Sequence, residues 1–209
     1  AAPMPAPHWI HSAATRWACT GIALAAAACA PLSPKPAKTS EAPPVAAACP
    51  PALAALARCL AGQDSAGAYY LIAMPHQWNG HLVLHAHGGP ALGAPRPERS
   101  AADLERWAIM VKAGYAWAGS TFRQGGVEVR AAAEDTERLR QIFVGHVAQP
   151  RRTILHGQSW GASVAARGAE MFTSTTQGQR PYDAVLLTSG VLAGGSRSYD
   201  FRTDLRVVY

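Results

Sequence analysis

Five consecutive residues, Gly157-Gln158-Ser159-Trp160-Gly161, have the types and spacing for covalent chemistry at an acyl carbon. A serine hydroxyl is a weak nucleophile until a fold exposes it beside a proton acceptor. The flanking residues supply the exposure. Arg152-Thr153-Ile154-Leu155-His156 is a β-type run, and the stretch from Ala162 to Phe172 is small and apolar enough for a buried helix. A strand that turns sharply into a helix leaves almost no room two positions before and two positions after the serine. Gly157 and Gly161 occupy those positions. The hydroxyl then stands at a helix N-terminus, where the local dipole favours developing negative charge. A glycine-rich β-to-α turn with a bystander serine would use the same letters, so a second feature has to separate the two readings.

That feature lies upstream. His81-Leu82-Val83-Leu84-His85-Ala86 reads as a strand and runs directly into His87-Gly88-Gly89-Pro90. Attack on a carbonyl creates an oxyanion, and preorganised N–H donors must meet it. Glycines let the backbone come close and turn an amide inward. Pro90 has no N–H to give, so Gly89 is the expected donor, with the amide of Trp160 as the second. Gly88 belongs to the same loop, and His87 is read as the residue that fixes it. His156 is expected to shape the turn before Ser159 rather than to act as a base.

The elements that must position these loops alternate along the chain. Residues 67–75 read as a strand, and Trp78-Asn79-Gly80 as a turn. Ser100-Ala101-Ala102-Asp103 has a capping pattern, with Leu104, Trp107, Ala108 and Val111 on one helical face and Gly114 as the stop. Residues 115–120 form the next strand. A longer helix runs from about Val127 to Val147, with Leu139, Ile142, Phe143 and His146 along one side. After the helix that follows Ser159, residues 184–190 read as another buried strand. Alternating strands and helices imply an α/β fold with a mostly parallel, doubly wound sheet. Trp107 and Trp117 are expected in the core. Arg123 and Asp135 either brace the loop after residue 120 or form an ordinary helix-packing ion pair.

Composition bounds the rest. The chain has 209 residues, 49% of them hydrophobic and 15% charged, which suits one domain with a sizeable core. The net charge is +6, but the basic residues are scattered and not interleaved with aromatics, which argues against nucleic-acid binding. Residues 1–29 read as a signal peptide: the apolar run from Ala18 to Cys29 is too short to span a bilayer, which takes about 20 residues. Ala26-Ala27-Ala28-Cys29 is similar to a bacterial lipobox, in which Cys29 would carry a lipid anchor. The expected location is therefore periplasmic, membrane-anchored as a lipoprotein, or secreted. Residues 30–61 read as a Pro/Ala-rich linker with a small loop. Cys49 and Cys59 flank a run that reads as a short helix, residues 51–58, and are expected to pair as a disulfide in an oxidising space. No His/Cys spacing matches a zinc site, and no cofactor motif is present.

The pairing of His87-Gly88-Gly89-Pro90 with Gly157-Gln158-Ser159-Trp160-Gly161 resembles the α/β-hydrolase superfamily. The proline after two glycines and the tryptophan after the serine resemble the proline iminopeptidase family in particular. Ala91 stands where that family usually has a further glycine. The resemblance covers residues 67–190, so residues 62–209 are expected to form a partial α/β-hydrolase domain. It implies a serine hydrolase of ester or peptide bonds, acting on a small-molecule substrate through an acyl-enzyme on Ser159, without a metal or organic cofactor. Such enzymes place their triad in the order Ser, Asp/Glu, His. All eight histidines here precede Ser159. Asp200 and Asp204 follow the last strand, where a few relatives carry the acid. The expectation is thus a C-terminally truncated hydrolase, inactive as given, whose histidine and acid lie outside this chain. The alternative is a non-catalytic cell-envelope protein that retains part of a hydrolase fold.

Overall fold

A computed structural model describes residues 40–89, 91–126, 128–175 and 178–208. The expected signal peptide, the Cys29 anchor and most of the linker lie outside the described residues, as does Pro90. Among the described residues no helix is long and apolar enough to cross a membrane.

The strands are β1 (Val45–Ala47), β2 (Ala57–Gln63), β3 (Tyr69–Pro75), β4 (His81–Ala86), β5 (Ala116–Ser120), β6 (Arg152–Gln158) and β7 (Ala184–Thr188). They form one sheet in the order β1-β2-β3-β5-β4-β6-β7. The first three are antiparallel to their neighbours, while β5, β4, β6 and β7 run parallel. The helices are α1 (Glu98–Arg106), α2 (Ala108–Lys112), α3 (Val129–His146), α4 (Trp160–Met171) and α5 (Gly194–Val208). This is the expected α/β arrangement, a mostly parallel sheet covered by helices on both faces.

Period-two alternation explains the two faces. Tyr70, Ile72, Leu82, Leu84, Ala116 and Ala118 point to one side, where Leu139, Ile142 and Phe143 of α3 and Ala165 of α4 cover them. The intervening Leu71, Ala73, Val83 and Trp117 point to the other side, under Leu104 of α1 and Ala108 and Val111 of α2. Helices α1 to α4 therefore bury their apolar stripes against alternate rows of the sheet.

Several sequence expectations need correction. The domain does not begin near residue 62, because β1 and β2 already belong to the sheet. The run 51–58 is not a helix: only Pro51–Leu53 makes a 3-10 turn, and the chain then enters β2. Pairing along the whole of β3, from Ala57↔Pro75 to Gln63↔Tyr69, outweighs the alanine-rich local preference. The Cys49–Cys59 disulfide is present and ties the segment before that turn to β2. The first helix starts at Glu98, after Pro97, rather than at a Ser100 cap. It breaks at Trp107, which departs from helical dihedrals and turns its ring against His85 and His156. Residues 184–188 are not a buried strand. β7 lies at the sheet edge with Val185 and Leu186 43% and 47% exposed. Beyond it the chain forms an unexpected, solvent-exposed helix, α5.

Candidate active site

The parallel strands β5, β4, β6 and β7 deliver their C-terminal ends to one edge of the sheet, which is where open α/β sheets place their chemistry. β6 ends at Gln158 and α4 begins at Trp160, so Ser159 alone makes the turn. Its backbone has φ 55° and ψ −123°, a region that L-residues rarely occupy and that costs about 1–3 kcal/mol. The surroundings hold it there. The Ser159 N–H donates to Thr188 O at 2.8 Å, and its carbonyl accepts from Ala162 and Val191. The side chain remains partly exposed.

The glycine requirement at the turn is steric. A Cβ on Gly157 would lie 2.6 Å from Ala162 Cα, inside backbone of the new helix. One on Gly161 would lie 2.5 Å from His87 O and still nearer Ala86 O. The second clash shows that α4 starts directly against the end of β4, with the elbow and the glycine loop in contact. Gly88 confirms the juxtaposition from the other side: a Cβ there would meet Gln158 Oε1 at 2.6 Å and Ser159 Cβ at 3.2 Å.

The structure therefore brings together Ser159, Trp160, Gly157 and Gly161 with His87, Gly88 and Gly89. Gly89 is exposed and has φ +133°, a conformation open to glycine. Trp160 opens a 12-residue helix, and the first amides of a helix have no intrahelical acceptor.

His87 is a loop residue. Its Nδ1 lies 2.8 Å from Gly88 O and its Nε2 3.4 Å from Thr121 O, while its ring stacks on Phe122 at 4.3 Å. Arg99 donates to Gly88 O at 2.7 Å and is held by Asp103. Burial lowers the His87 pKa from its ordinary value, and the neighbouring Arg99 cation adds to the shift. Thus His87 is a clamp within the loop.

His156 forms a feature that the sequence did not disclose. In the β4–β6 register His85 sits opposite His156, and their Nδ1 atoms are 2.9 Å apart. Thr188 Oγ donates to Gly157 O and so can only accept from His156 Nε2, each at 3.2 Å. His156 Nδ1 is then the acceptor for His85 Nδ1–H. Burial holds both rings neutral: it lowers His156 to about 4 and His85 well below the ordinary histidine value, the latter helped by the charge of its neighbours. The pair fastens β4 to β6 just below the two loops.

Arg123 and Asp135 do brace the loop after β5. Asp135 is fully buried and accepts from Arg123 N and Arg123 Nε, both at 2.7 Å. The braced loop reaches the glycine loop, because Gly126 donates to Ala91 O at 2.8 Å. Among the described residues no side chain hydrogen-bonds the Ser159 hydroxyl, and no group of three or more His, Cys, Asp or Glu is placed to hold a metal ion.

No protein-family model matches this chain, and no curated protein matches it. Solved structures of similar course include an inhibited esterase B from Lactobacillus rhamnosis, at 16% identity and a TM-score of 0.45 over 59% of this chain. An esterase of the bacterial hormone-sensitive lipase family gives 19% and 0.49 over 64%, and an esterase from the fungus Rhizomucor miehei 16% and 0.46 over 65%. The chain spans 44% of the length of each of these structures. The likeness concerns the fold.

Proposed function

We propose that this chain carries the nucleophile and oxyanion hole of a serine hydrolase that cleaves carboxylic ester or peptide bonds. The observation that carries the reading is the backbone of Ser159, held at φ 55° between β6 and α4 with Gly88 packed against it. Ser159 Oγ attacks the carbonyl carbon of a small-molecule substrate and loses its proton to a base. The N–H groups of Gly89 and Trp160 receive the oxyanion. Collapse expels the alcohol or amine with a proton and leaves an acyl-enzyme, which water opens to the acid. The reading requires a histidine base and a carboxylate in addition, because His85, His87 and His156 are engaged within the scaffold. The resemblance to proline iminopeptidases belongs to this reading, as does a site of action outside the cytoplasm. The Cys49–Cys59 disulfide supports the location, since such bonds persist in oxidising compartments.

The test is covalent labelling of the full-length protein with a fluorophosphonate, followed by peptide mapping. Adduct on Ser159, absent from Ser159→Ala, is the expected result. Labelling that survives the substitution would remove the assignment.

A further inference from the structure

Three non-glycine residues among those described have positive φ: Phe122 at 61°, Ser159 at 55° and Ser189 at 49°. They follow β5, β6 and β7, at the same end of three parallel strands. Ser159 is the nucleophile of the proposed reaction, and Ser189 follows Thr188, whose carbonyl holds the Ser159 amide. Phe122 has no place in that scheme. A left-handed conformation is uncommon for any non-glycine residue and an outlier for a bulky one, so the fold must impose it.

The imposition is visible bond by bond. The Phe122 N–H donates to Ser120 Oγ at 3.0 Å, and its carbonyl accepts from Thr121 Oγ at 3.1 Å. The next amide, Arg123 N–H, is fixed on buried Asp135. The result is that the Phe122 ring turns inward, 3% exposed, between the two halves of the site. It stacks on the His87 imidazole at 4.3 Å with 25° between planes, and it meets the Trp160 indole edge-on at 6.5 Å. His87 stands two residues before Gly89, and Trp160 itself supplies the other amide. One ring therefore touches both arms that carry the oxyanion donors.

We propose that Phe122 is a positioning residue that sets the spacing of the Gly89 and Trp160 amides, an inference that rests on Ser159 being the nucleophile. An oxyanion hole works only if its donors are already at the right separation when charge develops. Without the ring, the His87 imidazole and the Trp160 indole lose their shared contact, and the two arms can shift relative to each other. Ser159 would keep its place on β6, but the hole would lose its fit.

The experiment compares the parent, Phe122→Leu and Phe122→Met in the full-length protein by fluorophosphonate labelling, separating the inactivation rate constant from the binding constant. Circular dichroism and thermal melting are run beside it. Misplaced donors slow phosphonylation of Ser159, in which the P–O bond forms as fluoride leaves, so the rate constant should fall by about tenfold to a hundredfold in both variants. The binding constant and the near-UV spectrum should stay close to the parent's. A rate constant within twofold of the parent in a folded variant overturns the positioning role and leaves the nucleophile intact. Loss of the folded state in both variants overturns it as well, by making the ring a core element. A parent that does not label at Ser159 overturns both readings.

Discussion

Lowering the pH from 7 to 5 should destabilise this protein through the His85–His156 pair. In the unfolded chain a histidine binds its proton near 6.5. In the fold, burial lowers His156 to about 4, and it is fully excluded from solvent. The neutral form is thus the folded form. Its contribution is complete above pH 6.5 and is lost as pH falls toward 4, because the unfolded state takes up more protons in that window. One pKa unit corresponds to about 1.4 kcal/mol, so His156 accounts for roughly 2 kcal/mol lost by pH 5 and about 3 kcal/mol in the limit. His85 is shifted in the same direction by burial, by His156 and His87, and by Arg99 and Arg106, and deepens the loss. Geometry adds to this, since two protonated rings would face each other donor to donor across 2.9 Å. Against a total stability of about 5–15 kcal/mol for a domain, the effect is large. Urea unfolding at pH 7.5, 6.5, 5.5 and 5.0 measures it. In His85→Gln/His156→Gln the slope of stability against pH should shrink to the remainder carried by His87. A parent curve that is flat from pH 7 to 5, or an equally steep one in the double variant, would refute the reasoning.

Two further variants test the packing and the disulfide. Gly161→Ala should destabilise by about 1–3 kcal/mol, because the new methyl meets the fixed carbonyls of Ala86 and His87; urea midpoints check the size. The displaced glycine loop should also slow fluorophosphonate labelling in the same variant. Cys49→Ser/Cys59→Ser should cost about 2–3 kcal/mol, as expected for a short loop opened in the unfolded state, and unchanged melting would remove the disulfide from the account.

The elbow was legible because its constraint is contiguous. Ser159 sits between two glycines whose absence of Cβ answers to backbone within five residues of chain or at the adjoining strand end. The glycine loop was legible for a similar reason: an apolar strand ending in His87-Gly88-Gly89 has few other uses. The antiparallel start of the sheet was not legible. Residues 51–58 have a helical composition, and nothing local says that β3 will take residues 57–63 as a partner. Phe122 carried no signal either. One aromatic after a strand is unremarkable in sequence, and its positive φ exists only because Ser120, Thr121 and Asp135 fix its neighbours.

By itself the sequence determined the α/β class and singled out a candidate nucleophile and two candidate amide donors. Each rests on side-chain periodicity or on glycine at a fixed offset, and such short-range patterns survive without knowledge of the rest of the chain. Only the tertiary structure decided what the histidines do. His85 and His156 are 71 residues apart and meet because β4 and β6 are neighbours in parallel register. Strand order is set by the packing of whole faces, so contacts across strands, and the burial that keeps those rings neutral, are properties of the assembled sheet.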